Sequence, residues 1–554
     1  MKHFSTIFTT CLFCVVCCFS GQAQFFQPTE ATKGTIHAVE YYSTTMNETR
    51  RMQIYLPFEY DIKEFISYPV LYLQHGGGDD ETGWEQKGNV KAILDEKIAS
   101  CEAIPMIVVM PNGQLPVPLY KDELINDIIP YIEKNYRVRA DKDNRALAGL
   151  SMGGLQVLDT GLRNTDLFAY LGVFSSGWFR EDEATYREMG NFIQQNRDRI
   201  KENVRYFYFS EGGPEDIAYE NGQATRKVLE NNGIDLIYRD HPGGHTWPVW
   251  EKNLGEILPY LFQTVPGMTE LHSFTPDPVI PSEEEVEYFK DVVYMTRDGM
   301  DLTLQILKPV GGKGKIPCVV FVQGSAWMKQ YVYANVENMK RFASKGYVVA
   351  IVEYRPSMVA PFPAQMQDAK TAIRYMRKQA EEYGIDTHNI FLWGDSSGGH
   401  TVLMVGVTEN MPEMDTPDYN EYSAHVNAVI DYYGCSDVEQ MQYTALYGDR
   451  ITDKSPEGLL IGGKNVREHM EDIYKTSTVR YMSPDRPLVP FLIMHGSADK
   501  TVPFHQSYLQ ADAMRKQGHT YQLYKLTGAD HGTPEFWSRE AFDLVDHFIR
   551  INMK

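Results

Sequence analysis

Two five-residue stretches, Gly149-Leu150-Ser151-Met152-Gly153 and Gly394-Asp395-Ser396-Ser397-Gly398, constrain this chain more than any other feature of its 554 residues. Each follows an apolar, strand-like run, Arg145 to Ala148 in one case and Asn389 to Trp393 in the other. A Gly-x-Ser-x-Gly run between a strand and a helix demands a turn so tight that a Cβ on a flanking residue would strike its neighbours. The central serine is then held in strained backbone and presented bare at the carboxyl end of a sheet. Two such turns predict two such sheets.

The rest of the chain divides accordingly. The segment 266–285 holds Pro266, Pro276, Pro278 and Pro281, then Glu283-Glu284-Glu285, with little apolar periodicity, and reads as a linker. It separates residues 24–265 from 286–554, each a normal size for one α/β domain. On both sides short Val/Ile/Leu/Tyr-rich runs alternate with longer amphipathic stretches. Tyr68 to Leu73, Pro105 to Met110, Cys318 to Val322, Tyr347 to Val352 and Phe491 to Met494 predict buried parallel strands. Tyr120 to Asn135 and Phe362 to Tyr383 predict helices. Two doubly wound, mostly parallel sheets with covering helices follow.

The N-terminus has the layout of a secretory signal peptide: Lys2, an apolar run from Ile7 to Phe19, then Gly21-Gln22-Ala23. Cleavage after Ala23 and export are expected. Cys17 and Cys18 offer a lipoprotein alternative, against which Val16 and Cys17, the residues before them, are not small. The apolar run falls short of the roughly 20 residues of a membrane span, and no later stretch predicts one. Once the leader is removed, Cys101, Cys318 and Cys435 are left, too few for a disulfide framework and without zinc spacing. The formal charge of -21 would repel nucleic acid phosphates over most of the surface, so a nucleic acid partner is disfavoured.

A serine hydroxyl is a poor nucleophile until a histidine takes its proton, and that histidine must be oriented by a carboxylate. Beyond Ser151, the run Tyr206 to Phe209 leads to Glu211-Gly212-Gly213-Pro214-Glu215-Asp216, and Asp235 to Arg239 leads to Gly243-Gly244-His245. Ser151, Asp216 and His245 form the first candidate triad, with Glu215 an alternative acid. Beyond Ser396, His495-Gly496-Ser497-Ala498-Asp499 and Gly528-Ala529-Asp530-His531 follow two strand-like runs in the same order, which gives Ser396, Asp499 and His531. Asp395 and Asp530 read as turn residues, and His400 as a helix residue behind its serine. Acyl transfer also needs backbone amides aimed at the developing oxyanion. His75-Gly76-Gly77-Gly78 assigns these to Gly77 and Met152 in the first unit. In the second, Gln323-Gly324-Ser325-Ala326-Trp327 assigns them to Ser325 and Ser397. Trp84, Trp178, Trp247 and Trp250 are candidates for a substrate wall. Gly311-Gly312-Lys313-Gly314-Lys315 precedes a strand and lacks phosphate-loop spacing, so it reads as a turn. No metal or organic cofactor is implied.

The stretch YPVLYLQHGGGDDETGWEQKG from Tyr68 to Gly88, with GLSMGG and GGHTWPVW, resembles the carbohydrate esterase family of feruloyl and acetylxylan esterases, whose secreted relatives include siderophore esterases. The resemblance covers nearly all of residues 30–265. From 286 onward, GYVVAIVEYRPS, FPAQMQDAKTAIRYMRKQAEEYGID and GDSSGGH resemble the acetyl-esterase and hormone-sensitive-lipase-like α/β hydrolases, which usually carry His-Gly-Gly where this chain has Gln323-Gly324-Ser325. A likeness to prolyl-oligopeptidase-type peptidases is also present there. The resemblance implies two tandem α/β-hydrolase domains and removal of feruloyl and acetyl groups from an acylated plant polysaccharide or oligosaccharide such as xylan. A rival reading makes one half a non-catalytic carbohydrate-binding module with a relic elbow.

Overall fold

The computed structural model describes residues 33–554 apart from 59, 273, 275–284, 312–313, 410 and 445–447. The expected leader, residues 1–23, and most of the expected linker lie outside the described residues. The first sheet has eight strands: β1 (Thr35–Ser43), β2 (Glu48–Leu56), β3 (Val70–Gln74), β4 (Ile107–Pro111), β5 (Arg145–Leu150), β6 (Tyr170–Phe174), β7 (Tyr206–Glu211) and β8 (Ile237–Asp240). Their spatial order is β1-β2-β4-β3-β5-β6-β7-β8. β1 and β2 pair antiparallel, as do β2 and β4. The pairings from β4 through β3, β5, β6 and β7 to β8 are all parallel. Every residue of β3 to β7 is buried, as strands covered on both faces require. The predicted helix over 120–135 forms as Val117–Glu123, a π segment Leu124–Ile128, and Ile129–Asn135. Pro130, which has no amide hydrogen, sits where the ladder changes.

The second sheet has nine strands: β9 (Met268–His272), β10 (Val286–Arg297), β11 (Met300–Pro309), β12 (Ile316–Val322), β13 (Val348–Val352), β14 (Ile385–Asp395), β15 (Val429–Tyr432), β16 (Phe491–Gly496) and β17 (Tyr521–Thr527). Their order is β10-β11-β13-β12-β14-β15-β16-β17-β9, antiparallel at the β10-β11-β13 end and parallel elsewhere. Both sheets are thus mostly parallel and lie between helices, the α/β arrangement expected.

One boundary differs from expectation. β9 falls within the stretch read as linker, yet it pairs parallel with β17 from Met268 opposite Leu523 to His272 opposite Thr527. Its five residues, Met-Thr-Glu-Leu-His, are exposed or half-buried. A short edge strand needs no apolar run, so its composition gave no signal.

The domains also meet through side chains. The Arg205 guanidinium of the first is 5% exposed; it pairs with Asp143 at 2.7 Å and reaches Asp512 of the second at 3.0 Å. Cys101, Cys318 and Cys435 are buried free thiols. Among the described residues no helix is long and apolar enough to cross a membrane.

Candidate active sites

Ser151 stands between β5 and the helix Met152–Arg163 with φ 52° and ψ −117°, a conformation a non-glycine residue adopts only when its surroundings impose it. What imposes it is close packing. A Cβ on Gly149 would stand 2.7 Å from the Gly153 carbonyl carbon, and one on Gly153 would stand 2.5 Å from the His75 carbonyl oxygen. His245, on the loop after β8, places Nε2 2.9 Å from Ser151 Oγ. Its Nδ1 lies 2.7 Å from Asp216 Oδ1. With Nδ1–H donating to the carboxylate, Nε2 is left to accept the serine proton.

Asp216 sits on the loop after β7, its side chain fully buried, and also accepts the amides of Ala218 at 2.8 Å and Gly212 at 3.1 Å. Burial alone would raise its pKa, but the hydrogen bonds from His245 and the Ala218 amide outweigh it and hold the carboxyl below its usual range. Glu215 is exposed and, among the described residues, accepts the Gly243 amide at 3.0 Å rather than meeting His245, so the choice between the two acids falls on Asp216.

The loop after β3 is stiffened from below. His75 is buried; its Nδ1–H donates to the Gly76 carbonyl at 2.7 Å and its Nε2 accepts the Gly113 amide at 3.0 Å. Burial lowers its pKa, which favours the neutral ring this pattern requires. Gly77 lies against Met152: its missing Cβ would stand 3.9 Å from Met152 Cβ, so the two expected oxyanion donors belong to adjacent residues.

Ser151 and His245 open into a cleft of about 570 Å³ walled by Leu115, Val117, Leu155, Phe179 and Ile217. Phe179 is 60% and Ile217 82% exposed, apolar side chains left bare at the rim. The tryptophans expected as a wall are elsewhere. Trp84, Trp178 and Trp250 are buried in the core, and Trp84 Nε1 donates to the Gln74 carbonyl at 3.1 Å. Trp247, partly buried, packs edge-on against Trp84 and Trp250. Large rings near the site in sequence went to the core, and smaller apolar groups from two helices and the neighbouring loops took the wall.

The second site repeats the geometry. Ser396, between β14 and the helix Ser397–Val407, has φ 54° and ψ −124°. A Cβ on Gly398 would stand 1.9 Å from the Val322 carbonyl oxygen. His531 Nε2 is 2.9 Å from Ser396 Oγ, and its Nδ1 is 2.7 Å from Asp499 Oδ2. The fully buried Asp499 carboxylate also accepts the Thr501 and Val502 amides, each at 2.8 Å, and lies 3.3 Å from His495 Nε2. Burial would raise it; the neighbouring His495 ring and the hydrogen bond from His531 prevail and hold it at about 2.

The oxyanion loop here departs from expectation. The Ser325 amide, an expected donor, is engaged, donating to Ser397 Oγ at 2.8 Å. The Tyr354 hydroxyl approaches both Ser325 Oγ, at 2.9 Å, and Ser397 Oγ, at 3.3 Å, and locks the pair. A serine side chain after the nucleophile is what captures that amide. The loop continues with left-handed backbone at Ala326, φ 53°, and Trp327, φ 56°, and the Ala326 amide has no acceptor among the described residues. Asp395, read as a turn residue, has a further role: its Oδ1 accepts the Gly324 amide at 2.8 Å and ties this loop to the elbow. Burial raises its carboxyl to about 6. Its place directly before the serine was the available signal. His400 lies behind the elbow, accepting Trp327 Nε1–H at 3.0 Å and donating to the Thr476 carbonyl at 2.8 Å. Among the described residues, no group of three or more His, Cys, Asp or Glu side chains could hold a metal ion.

Each half matches a different family. Residues 43–261 match the putative esterase family model, and residues 304–514 match that of BD-FAE. The chain is 37% identical over 164 residues to an endo-1,4-beta-xylanase/feruloyl esterase of Xylanibacter ruminicola, covering 27% of this chain and 23% of that protein. It is 27% identical over 237 residues to esterase LipC of Mycobacterium tuberculosis, covering 42% of this chain and 54% of that one. The chain thus spans between 23% and 54% of the length of these two relatives. Among solved structures, a truncated carbohydrate esterase from gut microbiota is 28% identical with a TM-score of 0.45, over 50% of this chain and 99% of that one.

Proposed function

We propose that this chain, whose halves match the putative esterase and BD-FAE family models, is a carboxylic ester hydrolase: an exported, bifunctional carbohydrate esterase. In this reading the first domain removes feruloyl-type aromatic acyl groups and the second removes acetyl groups, from xylan or its oligosaccharides. The observation that carries the first assignment is the cleft of about 570 Å³ that opens from Ser151 and His245 between apolar side chains. A planar aromatic acid fits such walls, and burying its ring there supplies apolar binding that a small acid cannot match. The likeness to an endo-1,4-beta-xylanase/feruloyl esterase supports the same substrate class. The acetyl assignment rests on the resemblance of residues 286–554 to acetyl esterases, and export on the leader-like layout of residues 1–23.

The reaction proceeds alike at both sites. His245 or His531 takes the hydroxyl proton through Nε2, and Ser151 or Ser396 attacks the ester carbonyl. The oxyanion is held by the amides of Gly77 and Met152 in the first domain, and of Ala326 and Ser397 in the second. The histidine then gives its proton to the departing sugar oxygen. Water, activated by the same ring, hydrolyses the acyl-enzyme.

An ester panel run on the single variants Ser151→Ala and Ser396→Ala tests this. Ser151→Ala is expected to lose methyl ferulate turnover and keep 4-nitrophenyl acetate turnover at Ser396; Ser396→Ala is expected to keep methyl ferulate turnover. A domain whose serine can be removed without affecting any ester is a binding module instead.

A further inference from the structure

A buried side chain close to the second triad reaches across to the first domain. Lys525 lies on β17, six residues before His531, opposite His495 on β16 and Glu270 on β9. It is 2% exposed, yet no carboxylate comes within ion-pair distance among the described residues. Its ammonium donates to the Pro259 carbonyl of the first domain at 3.0 Å. It also stands 4.8 Å from the ring of Tyr260, in the first domain, and 4.8 Å from the ring of Phe504, in the second. Burial lowers its pKa to about 8, against the pull of the Glu270 and Glu102 carboxylates. A buried charge with these neighbours is held by the carbonyl and by two ring faces, each attractive to a cation.

Phe504 closes the turn that begins at Asp499. Within that turn the Asp499 carboxylate accepts the Thr501 and Val502 amides, and the Val502 carbonyl accepts from His495 Nε2 at 2.7 Å. Ser497 Oγ accepts the Gly528 amide at 2.8 Å, which joins the Asp499 turn to the His531 turn. The contacts therefore run from the Pro259-Tyr260 turn of the first domain, through Lys525 and Phe504, to the acid and histidine of the second triad. β9 pairs along the same strand from the same side.

We infer that Lys525 is a positioning residue through which the first domain holds the Asp499 turn in register with His531, so that the second active site depends on the first domain for its geometry. This inference rests on the reading of Ser396 as a nucleophile. The dependence is specific to the second site: among the described residues, no hydrogen bond or ion pair joins the second domain to the loops that carry Asp216 and His245, and the second domain's polar contacts with the first fall instead at residues such as Arg139, Asp143, Arg205 and Pro259.

The test uses the full chain carrying Ser151→Ala, where 4-nitrophenyl acetate turnover reports Ser396. Misplacing a triad member by a fraction of an ångström costs kcat more than KM, so Lys525→Met, which keeps the aliphatic stem, is expected to lower kcat by about tenfold with KM changed less than about twofold. Tyr260→Ala should reproduce that loss and Tyr260→Phe should not, since the ring and not its hydroxyl faces the ammonium. In a Ser396→Ala chain the same substitutions should leave methyl ferulate turnover unchanged. Should Lys525→Met fail to fold, the Tyr260 pair decides. Unchanged kcat in Tyr260→Ala, or an equal loss at both sites, would overturn the inference alone. An inactive Ser151→Ala parent would instead overturn the reading of the second site, and the inference with it.

Discussion

The two sites share one triad geometry and differ in what supports it. In each, Nε2 to Oγ is 2.9 Å and Nδ1 to carboxylate is 2.7 Å. Around Ser151 the oxyanion loop is the glycine run His75-Gly76-Gly77-Gly78, braced from below by the His75 ring, which bonds the Gly76 carbonyl and the Gly113 amide. Around Ser396, side chains do the holding. Asp395 ties down Gly324, Ser397 captures the Ser325 amide, and His495 lies beside Asp499. The triad geometry is set by the sheet and its elbows, and the loops are free to meet it by different chemistry.

The comparison can be broken most severely at the acids. Asp216→Asn and Asp499→Asn each leave a side chain of the same shape but favour the wrong histidine tautomer, and each is expected to cost about 10⁴-fold in kcat at its own site. Single-turnover assays with methyl ferulate and 4-nitrophenyl acetate, each in the variant background where only one serine remains, would measure both. A loss under tenfold at Asp499 would contradict its role as the group that orients His531.

A smaller effect separates the walls. Phe179→Ala removes an exposed ring from the first cleft and should raise KM for methyl ferulate about tenfold, corresponding to roughly 1.4 kcal/mol of lost apolar contact. Acetate turnover at Ser396 should not move. By contrast Trp84→Phe deletes a core hydrogen bond to Gln74. It is expected to lower stability by about 1–2 kcal/mol in urea unfolding while leaving acyl preference intact.

The smallest effect on turnover concerns a buried acid with no role in the chemistry. Glu211, at the end of β7, is fully buried with both carboxyl oxygens unpartnered among the described residues, and burial raises its pKa to about 9. The folded state then binds a proton that the unfolded chain releases near pH 4.5, so stability falls as pH rises between those values. Glu211→Gln should raise the thermal midpoint clearly at pH 8 and little at pH 5, because only pH 8 lies far above the unfolded value. An equal shift at both pH values would contradict this.

How much was legible in the sequence depended on how local the signal was. Both elbows, both histidines and Asp499 follow directly from strand ends, and they fall where the residue pattern put them. Asp216 needed the structure to separate it from Glu215, because a Gly-Gly-Pro loop does not fix which carboxylate turns inward. β9 was missed because an edge strand of Met-Thr-Glu-Leu-His carries no apolar run. The tryptophan wall failed because proximity in sequence to a site says nothing about which face of the sheet a ring enters. Ser325 was misassigned because one hydroxyl, that of Ser397, competes for its amide, and no spacing rule reveals such a contact.

The central claim is that one chain carries two distinct serine nucleophiles, one in each domain. Intact-mass measurement after saturation with a fluorophosphonate tests it most directly. The account predicts two adducts on the wild-type chain, one on Ser151→Ala, one on Ser396→Ala and none on the double variant. A wild-type chain that stops at a single adduct, or that takes none while folded, would contradict it.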